Sequence, residues 1–159
     1  NQMKRYLKQF KLLGLKKKTN LKGGNLENTL CIIKPDAVKN GHIDDINKKI
    51  EASGIEIIKS KRLTLQKDTA EEFYAEHSER PFFSELVDFM TSGDCVIQIL
   101  QGDDVIARYR ELMGATNPNE AVDGTLRKLF ASSLGENAVH GSDSKQSAER
   151  EIAIMKNLF

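Results

Sequence analysis

The sequence lacks several features that would place it in common classes of protein. It has only two cysteines among 159 residues. Cys31 and Cys95 each lie in a short apolar run, so we expect reduced, packed thiols rather than a disulfide or a metal site. Its three histidines do not have metal-ligand spacing. No apolar run approaches the ~20 residues of a membrane-spanning helix, so no transmembrane segment is expected.

Acidic residues are missing from the first part of the chain. Eight basic residues precede Glu27, and the whole chain has 24 basic and 23 acidic residues. Subtracting the eight leaves 16 basic against 23 acidic residues, a net charge of −7 for the remainder. An acidic body does not attract a polyphosphate by bulk charge, so such a ligand would need a few local cations and a divalent metal.

The basic leader ends at a turn-prone junction, Lys22-Gly23-Gly24-Asn25. We therefore predict a flexible basic N-terminal extension, residues 1–26, and one domain, residues 27–159, because this length suits a single core. Apolar residues at helical spacing, such as Met3 and Leu7, would allow a short amphipathic helix. Three alternatives stay open for this extension: an organelle-targeting segment, an arm that contacts nucleic acid or membrane, and a disordered extension without a function.

Apolar periodicity predicts a domain of mixed strands and helices. The predicted strands are 29–34, 55–65, 95–100 and a short one leading into His140, and the predicted helices are 43–52, 67–76, 83–91, 103–113 and one at the end of the chain. The stretch 114–136 shows little periodicity and is predicted to be a long functional loop. This order favours an α+β fold, a split βαβ sandwich in which helices cover one face of the sheet.

The segment Asn137–Ser144 contains the candidate reactive group, His140. Imidazole is partly unprotonated at neutral pH and is then a nucleophile. Residues 142–144 are natural N-cap residues, so His140 is expected to project near a helix N-terminus, where anions are stabilised. Gly141 is expected to let the chain pass close to a ligand. The local run alone is equally compatible with an ordinary capped turn.

Glycine-rich phosphate loops are also missing, since the chain has neither a Walker sequence nor a GxGxxG after a strand. Side chains able to bind phosphate are instead scattered over loop-like positions. They are Lys34, Arg110, Thr116, Arg127 and Asn137. Arginine offers a planar fork of donors and lysine a compact charge, although each of these alone is more often a solvated surface residue.

Five motifs follow one another in a specific order along the predicted domain. They are KPDAV at 34–38, ERPFF at 79–83, MGATNP at 113–118, GTLR at 124–127 and NAVHGSDS at 137–144. Together they resemble the nucleoside diphosphate kinase family over about residues 28–154. The resemblance implies a ferredoxin-like sandwich with a four-stranded antiparallel sheet covered by helices, assembled into a hexamer or a tetramer built from dimers.

The same resemblance implies an enzyme that maintains the pools of NTP and dNTP. It would transfer the terminal phosphoryl group of a nucleoside triphosphate, mainly ATP, to a nucleoside diphosphate by a ping-pong mechanism. Mg²⁺ is expected to arrive on the nucleotide phosphates, without a metal site made by the protein. A cytoplasmic location is expected, with organelle targeting by the basic leader as an alternative.

The resemblance also gives roles to individual residues. His140 would be the phosphorylated nucleophile, and Glu151, with Ser142 nearby, would orient its ring. Which of the two ring nitrogens Glu151 holds stays open. Lys34 would contact the transferring phosphate and the ribose, and Tyr74 would lie beside the reaction centre.

The remaining implied roles concern the nucleotide. Phe82 would stack on the base, with Leu134 facing it; Arg110, Thr116 and Arg127 would surround the phosphates; and Asn137 would contact the ribose. His42 and His77 are interpreted as incidental surface residues. A noncatalytic nucleotide-binding domain and a nucleic-acid-binding protein that uses its basic arm are the rival functions.

Overall fold

The computed structural model describes residues 25–159. The predictions made for the basic leader up to Gly24 therefore lie outside the described residues. The first strand begins at Leu26, one residue before the predicted start of the domain. Within residues 25–159, no helix is both long enough and apolar enough to cross a membrane.

Four strands and seven α-helices make up the described part of the chain. The strands are β1 Leu26–Ile33, β2 Glu56–Leu63, β3 Cys95–Asp103 and β4 Val139–Gly141. The helices are α1 Pro35–Lys39, α2 Ile43–Ala52, α3 Lys67–Phe73, α4 Phe83–Met90, α5 Val105–Met113, α6 Leu126–Phe130 and α7 Lys145–Met155, with 3-10 turns at Ala75–His77 and Lys156–Leu158. All the strands and helices predicted from residue 29 onward are confirmed, within a few residues at their ends.

Two five-residue helices, α1 and α6, were not predicted. Pro35 ends the predicted strand but also opens α1, because its fixed φ and missing N–H suit the first position of a helix. The Thr125 side chain caps α6 by accepting a hydrogen bond from the Lys128 N–H. Helices this short contain little more than one turn, so they leave almost no periodic signal.

The sheet has the order β2-β3-β1-β4, and every neighbouring pair is antiparallel. This confirms the predicted α+β fold with a four-stranded antiparallel sheet. The short strand β4 pairs with the central strand β1, and His140 lies opposite Ile32. The candidate nucleophile therefore lies on an edge strand that is paired directly with a central strand of the sheet.

The prediction that helices cover only one face of the sheet is wrong. Alternate residues of β1 enter two separate cores: Cys31 and Ile33 pack with α2, α5 and α6, whereas Leu30 and Ile32 pack with residues of α3, α4 and α7. A strand that is buried on both faces reads as a continuous apolar run rather than an alternating one, which is the pattern of Leu30–Ile33.

Candidate active site

The imidazole of His140 is held by the carboxylate of Glu151 on α7. The distance from His140 Nε2 to Glu151 Oε1 is 2.7 Å, and the two side chains are 20% and 9% exposed. A carboxylate can only accept hydrogen bonds, so a neutral His140 ring that donates to Glu151 carries its proton on Nε2 and keeps the lone pair of Nδ1. The contact thus favours one tautomer of the ring.

Two further contacts fix the position of this pair. Ser142 Oγ donates to Glu151 Oε1 at 2.8 Å and accepts the Leu30 N–H of β1 at 3.1 Å. The Phe73 ring meets the imidazole edge to face, with ring centroids 5.1 Å apart. The ring of His140 is therefore oriented both through its nitrogen and by its packing against Phe73.

The turn after His140 confirms the predicted helix cap, and Gly141 in this turn packs closely on the core. Ser144 is the N-cap of α7, and its side chain accepts the Ser147 N–H. A Cβ on Gly141 would lie 2.7 Å from both Tyr109 Cδ1 and Met113 Cε. Gly141 therefore makes room for side chains of the protein's own core.

Lys34 and Asn137 form a second buried polar pair. Lys34 Nζ donates to Asn137 Oδ1 at 2.9 Å, and both residues are less than 9% exposed. Burial lowers the pKa of Lys34 to about 8, and the nearby positive charge of Arg127 acts in the same direction. Asn137 is itself oriented, because its Nδ2 donates to the Leu134 carbonyl at 3.0 Å.

Arg127 of α6 is a buried cation. Its Nη1 donates to the Gly114 carbonyl and its Nη2 to the Val139 carbonyl, each at 3.0 Å. Its Nε has no hydrogen-bond partner among the described residues. Burial lowers the pKa of Arg127, and the charge of Arg110 adds to this effect, although a guanidinium stays protonated in proteins. The bond to Val139 places the Arg127 guanidinium against β4.

Arg110 lies on the exposed side of the same region. Its Nη1 donates to the Asp143 carbonyl at 3.4 Å. The pKa of Asp143 is lowered, chiefly by its hydrogen bond with the Ser147 side chain, so this carboxyl is ionised at neutral pH. Arg110 is therefore connected to the turn that carries His140.

Tyr74 ends α3 beside Phe73. Its ring is buried and stacks edge to face on Phe73, with centroids 4.9 Å apart. Burial, together with the charge of Glu151, raises the pKa of Tyr74, so the phenol stays protonated. Its hydroxyl has no hydrogen-bond partner within residues 25–159, which leaves a buried donor near the His140–Phe73 contact.

The remaining predicted site residues are exposed. Phe82 is 47% and Leu134 is 59% exposed, and Thr116 lies exposed in the loop between α5 and α6. In the described part of the chain, no hydrogen bond joins Phe82 or Thr116 to the His140 cluster. His77 is exposed, and its ring centroid lies 5.6 Å from that of Phe82.

Sequence reasoning missed two residues that contact this cluster. Phe73 precedes the predicted Tyr74, and only the edge-to-face geometry reveals its contact with His140. Asp36, the third residue of KPDAV, accepts the Ala138 N–H two residues before His140. The motif was a signal for Asp36, but nothing in the local sequence indicates its partner.

The donor set fits a ligand that brings its own metal. Residues 25–159 contain no group of three or more His, Cys, Asp or Glu side chains able to hold a metal ion. The site instead presents the cations Lys34, Arg110 and Arg127, which suit anionic oxygens. A cation chelated by the phosphates of a nucleotide is compatible with this arrangement.

The sheet order and the paired helices define an α+β protein of ferredoxin-like fold, and solved structures share this fold. The structure is similar to the nucleoside diphosphate kinase of Aquifex aeolicus, with a TM-score of 0.81 and 41% identity, over 82% of this chain and 95% of that one. A nucleoside diphosphate kinase from Halobacterium salinarum, solved in complex with CDP, gives a TM-score of 0.79 and 39% identity over 82% and 87% of the two chains.

Sequence comparison narrows this class to one family. The family model described as nucleoside diphosphate kinase matches residues 27–157. The nucleoside diphosphate kinase of Methylorubrum extorquens is 54% identical over 131 residues, which cover 82% of this chain and 94% of that protein. The chain belongs to the nucleoside diphosphate kinase family, and the predicted family and enzyme class are thereby confirmed.

Proposed function

We propose that the protein transfers the terminal phosphoryl group of a nucleoside triphosphate, mainly ATP, to a nucleoside diphosphate through a phosphohistidine at His140. The observation that carries the proposal is the 2.7 Å contact between His140 Nε2 and the buried Glu151 carboxylate. With Nε2 engaged as a donor, Nδ1 is the nitrogen that can attack. In this way the enzyme would maintain the NTP and dNTP pools.

The reaction has two similar halves. In the first, the lone pair of His140 Nδ1 forms a bond to the γ-phosphorus while the bond to the β,γ-bridging oxygen breaks, and the nucleoside diphosphate leaves with that electron pair. The phosphorylated ring is cationic and is stabilised by Glu151 through Nε2–H. In the second half, a terminal oxygen of another nucleoside diphosphate attacks the phosphorus, and Nδ1 recovers its lone pair.

The chain's own contribution is positioning and charge. Phosphoryl transfer passes through a loose transition state, so fixed cations around the phosphate oxygens provide most of the catalysis. Lys34 and Arg127 are buried beside the β4 segment, and Arg110 lies at its exposed side. We assign these three residues to the phosphates, and the unpartnered Tyr74 hydroxyl to the space beside the transferring group.

Mg²⁺ completes the proposal as a cation held by the nucleotide phosphates and water, and it supplies neutralisation of the phosphate charge when bound. Thr116 is assigned to the phosphates and Asn137 to the ribose. The CDP held by the halophilic relative supports a diphosphate nucleotide as one ligand.

The rim residues suit a base of any identity. Phe82 and Leu134 are both about half exposed, and stacking uses the π-face that every base has, without reading its hydrogen-bonding edge. We therefore propose broad tolerance of the base.

We also extend the proposal to a homo-oligomer, a hexamer or a tetramer built from dimers, which native mass measurement tests. A cytoplasmic location is proposed as well.

Incubation with γ-labelled ATP and Mg²⁺ tests the proposed function. We expect an acid-labile phosphoenzyme, which nucleoside diphosphate then discharges to labelled triphosphate. His140→Ala should abolish both steps while the protein stays folded, and His42→Ala, at a histidine that packs on Phe130, should leave them unchanged. Substantial exchange in folded His140→Ala would refute the role of His140. A wild-type protein that binds nucleotide without exchange would be the noncatalytic rival.

A further inference from the structure

Ala138 adopts a backbone conformation that non-glycine residues rarely adopt. Its φ is 72°, and such a conformation persists only where the surroundings hold it in place. The Val139 N–H donates to the Asn137 carbonyl at 2.9 Å, so Ala138 is the central residue of a γ-turn with positive φ, a rare and strained type. This turn leads the chain into β4 and therefore determines the position of His140 on that strand.

One short segment holds both backbone groups of Ala138. The Ala138 N–H donates to Asp36 Oδ2 at 3.0 Å, and its carbonyl accepts the Lys34 N–H at 2.8 Å. Ala138 is 0% and Asp36 8% exposed, so water does not compete for these bonds. Pro35, between the two partners, starts α1 and keeps them in register.

The other oxygen of Asp36 is unusual as well. Oδ1 is buried and has no hydrogen-bond partner among the described residues. Burial raises the pKa of Asp36 above its ordinary value, and the hydrogen bond from Ala138 opposes that rise. A buried carboxylate with an oxygen that lacks a partner is unfavourable for stability, and such groups, like backbone strain, are concentrated at functional sites.

The same segment also reaches the nucleotide side of the turn. Lys34 Nζ donates to Asn137 Oδ1 at 2.9 Å, so residues 34–36 contact the turn by a side chain, a backbone N–H and a carboxylate. Asn137 enters the turn and His140 follows it. The relative placement of these two side chains therefore depends on the turn between them.

We propose that Asp36 is a positioning residue for phosphoryl transfer. Its Oδ2 holds the strained turn at Ala138 and thereby places the His140 imidazole against the phosphate-binding cations. Asp36 is thus assigned to the backbone of the turn, and not to contact with substrate or with the reacting nitrogen. The inference depends on the proposed function, because it needs His140 to be the group that reacts.

Single-turnover phosphorylation of His140 by γ-labelled ATP measures this placement directly. Asp36→Ala should slow the reaction by about 10- to 100-fold, since a misplacement of ~1 Å can cost ~100-fold. Asp36→Asn keeps an oxygen that accepts the Ala138 N–H and should stay within about threefold of wild type. Asp45→Ala, at an exposed carboxylate on α2, is the matched control and should not change the rate.

Rescue by glycine separates positioning from a general structural role. Glycine adopts positive φ with little penalty, so Ala138→Gly should need Asp36 less. We expect Asp36→Ala/Ala138→Gly to recover most of the rate lost in Asp36→Ala, with thermal melts showing that all compared variants are folded. If Asp36→Ala alone does not fold, the double variant should fold and react within about tenfold of Ala138→Gly.

The outcomes distinguish this inference from the proposed function. Wild-type phosphorylation together with an unchanged rate in folded Asp36→Ala would overturn the role of Asp36 and leave the function standing. A folded double variant as slow as Asp36→Ala, or one that does not fold, would also overturn it. Failure of the wild-type protein to form a phosphohistidine would instead refute the proposed function.

Discussion

The rear and the rim of the candidate site are held in different ways. At the rear, His140–Glu151, Ser142–Glu151 and Lys34–Asn137 are joined by hydrogen bonds of 2.7, 2.8 and 2.9 Å. At the rim, Phe82, Leu134 and Thr116 are exposed. The comparison indicates that the protein itself holds the groups assigned to chemistry, whereas the exposed groups assigned to the base are expected to contribute mainly to binding.

Removing the carboxylate at the rear should have the largest effect. Glu151→Ala leaves His140 Nε2 without its acceptor and frees the ring to take the other tautomer. Loss of such an orienting group typically costs about 10- to 100-fold, and we expect this loss in kcat, with KM little changed. Steady-state exchange assays measure both constants, and Gln146→Ala, exposed on the same helix, is the control. If KM rose by the same factor and kcat stayed unchanged, the assignment of Glu151 to the chemistry would be contradicted.

Overfilling the rear should destabilise the fold. Gly141→Ala places a Cβ 2.7 Å from the Tyr109 ring and from Met113 Cε, and overpacking of this kind costs about 1–3 kcal/mol. We expect a lower midpoint of chemical unfolding together with slower phosphorylation of His140. Gly135→Ala, where an added Cβ meets nothing within 4 Å, should behave like wild type. Equal stability of the two variants would show that the packing around Gly141 is loose.

The pH dependence of activity should report Lys34. Its folded pKa is lowered from 10.5 to about 8, so the free enzyme loses this positive charge as the pH rises through about 8. We expect kcat/KM to fall severalfold there and kcat to fall only at higher pH, because a bound phosphate favours the protonated lysine.

The same shift predicts an opposite trend in stability. Between pH 8 and 10.5 the unfolded chain binds more protons at Lys34 than the folded one, so the contribution of Lys34 to folding stability rises with pH.

Lys34→Arg tests the assignment of the activity profile. It should remove the alkaline fall in kcat/KM, even if its absolute activity is lower. Persistence of the same fall in Lys34→Arg would assign it to another group.

Changes at the rim should have the smallest effect. Phe82→Ala removes a stacking surface worth about 1–3 kcal/mol, and the 47% exposure of Phe82 favours the lower end, or about a five- to tenfold rise in KM. We expect kcat to stay within about twofold, with Val122→Ala, at a 74% exposed residue, as the control. A large fall in kcat would remove the distinction between rear and rim.

The elements with a clear period could be predicted, and those without one could not. Helix α2 was predicted with the bounds that the structure gives, Ile43–Ala52, because it has an apolar stripe and a serine-glycine stop. The short helices α1 and α6 escaped prediction for lack of a second turn. The cover on both faces of the sheet was missed although the continuous apolar run Leu30–Ile33 indicates a strand that is buried on both faces.

The candidate site divides in the same way. Most of the assigned residues, His140 and Lys34 among them, lie in the five motifs, whereas Tyr74, Arg110 and Glu151 were assigned from the wider resemblance, and all these roles stay predictions. The ring nitrogen could not be predicted, because it depends on how the imidazole turns toward Glu151. Asp36 was missed because its partner Ala138 lies 102 residues away along the chain. Both features are properties of three-dimensional placement that local patterns do not contain.

The position of the phosphoryl group on the imidazole tests the central claim most directly. The phosphoenzyme formed from ATP and Mg²⁺ can be analysed by phosphorus–proton NMR, which distinguishes the two phosphohistidine isomers. Because Glu151 engages Nε2, the phosphoryl group is predicted on Nδ1 of His140. Phosphorus found on Nε2, or on a residue other than His140, would contradict this account.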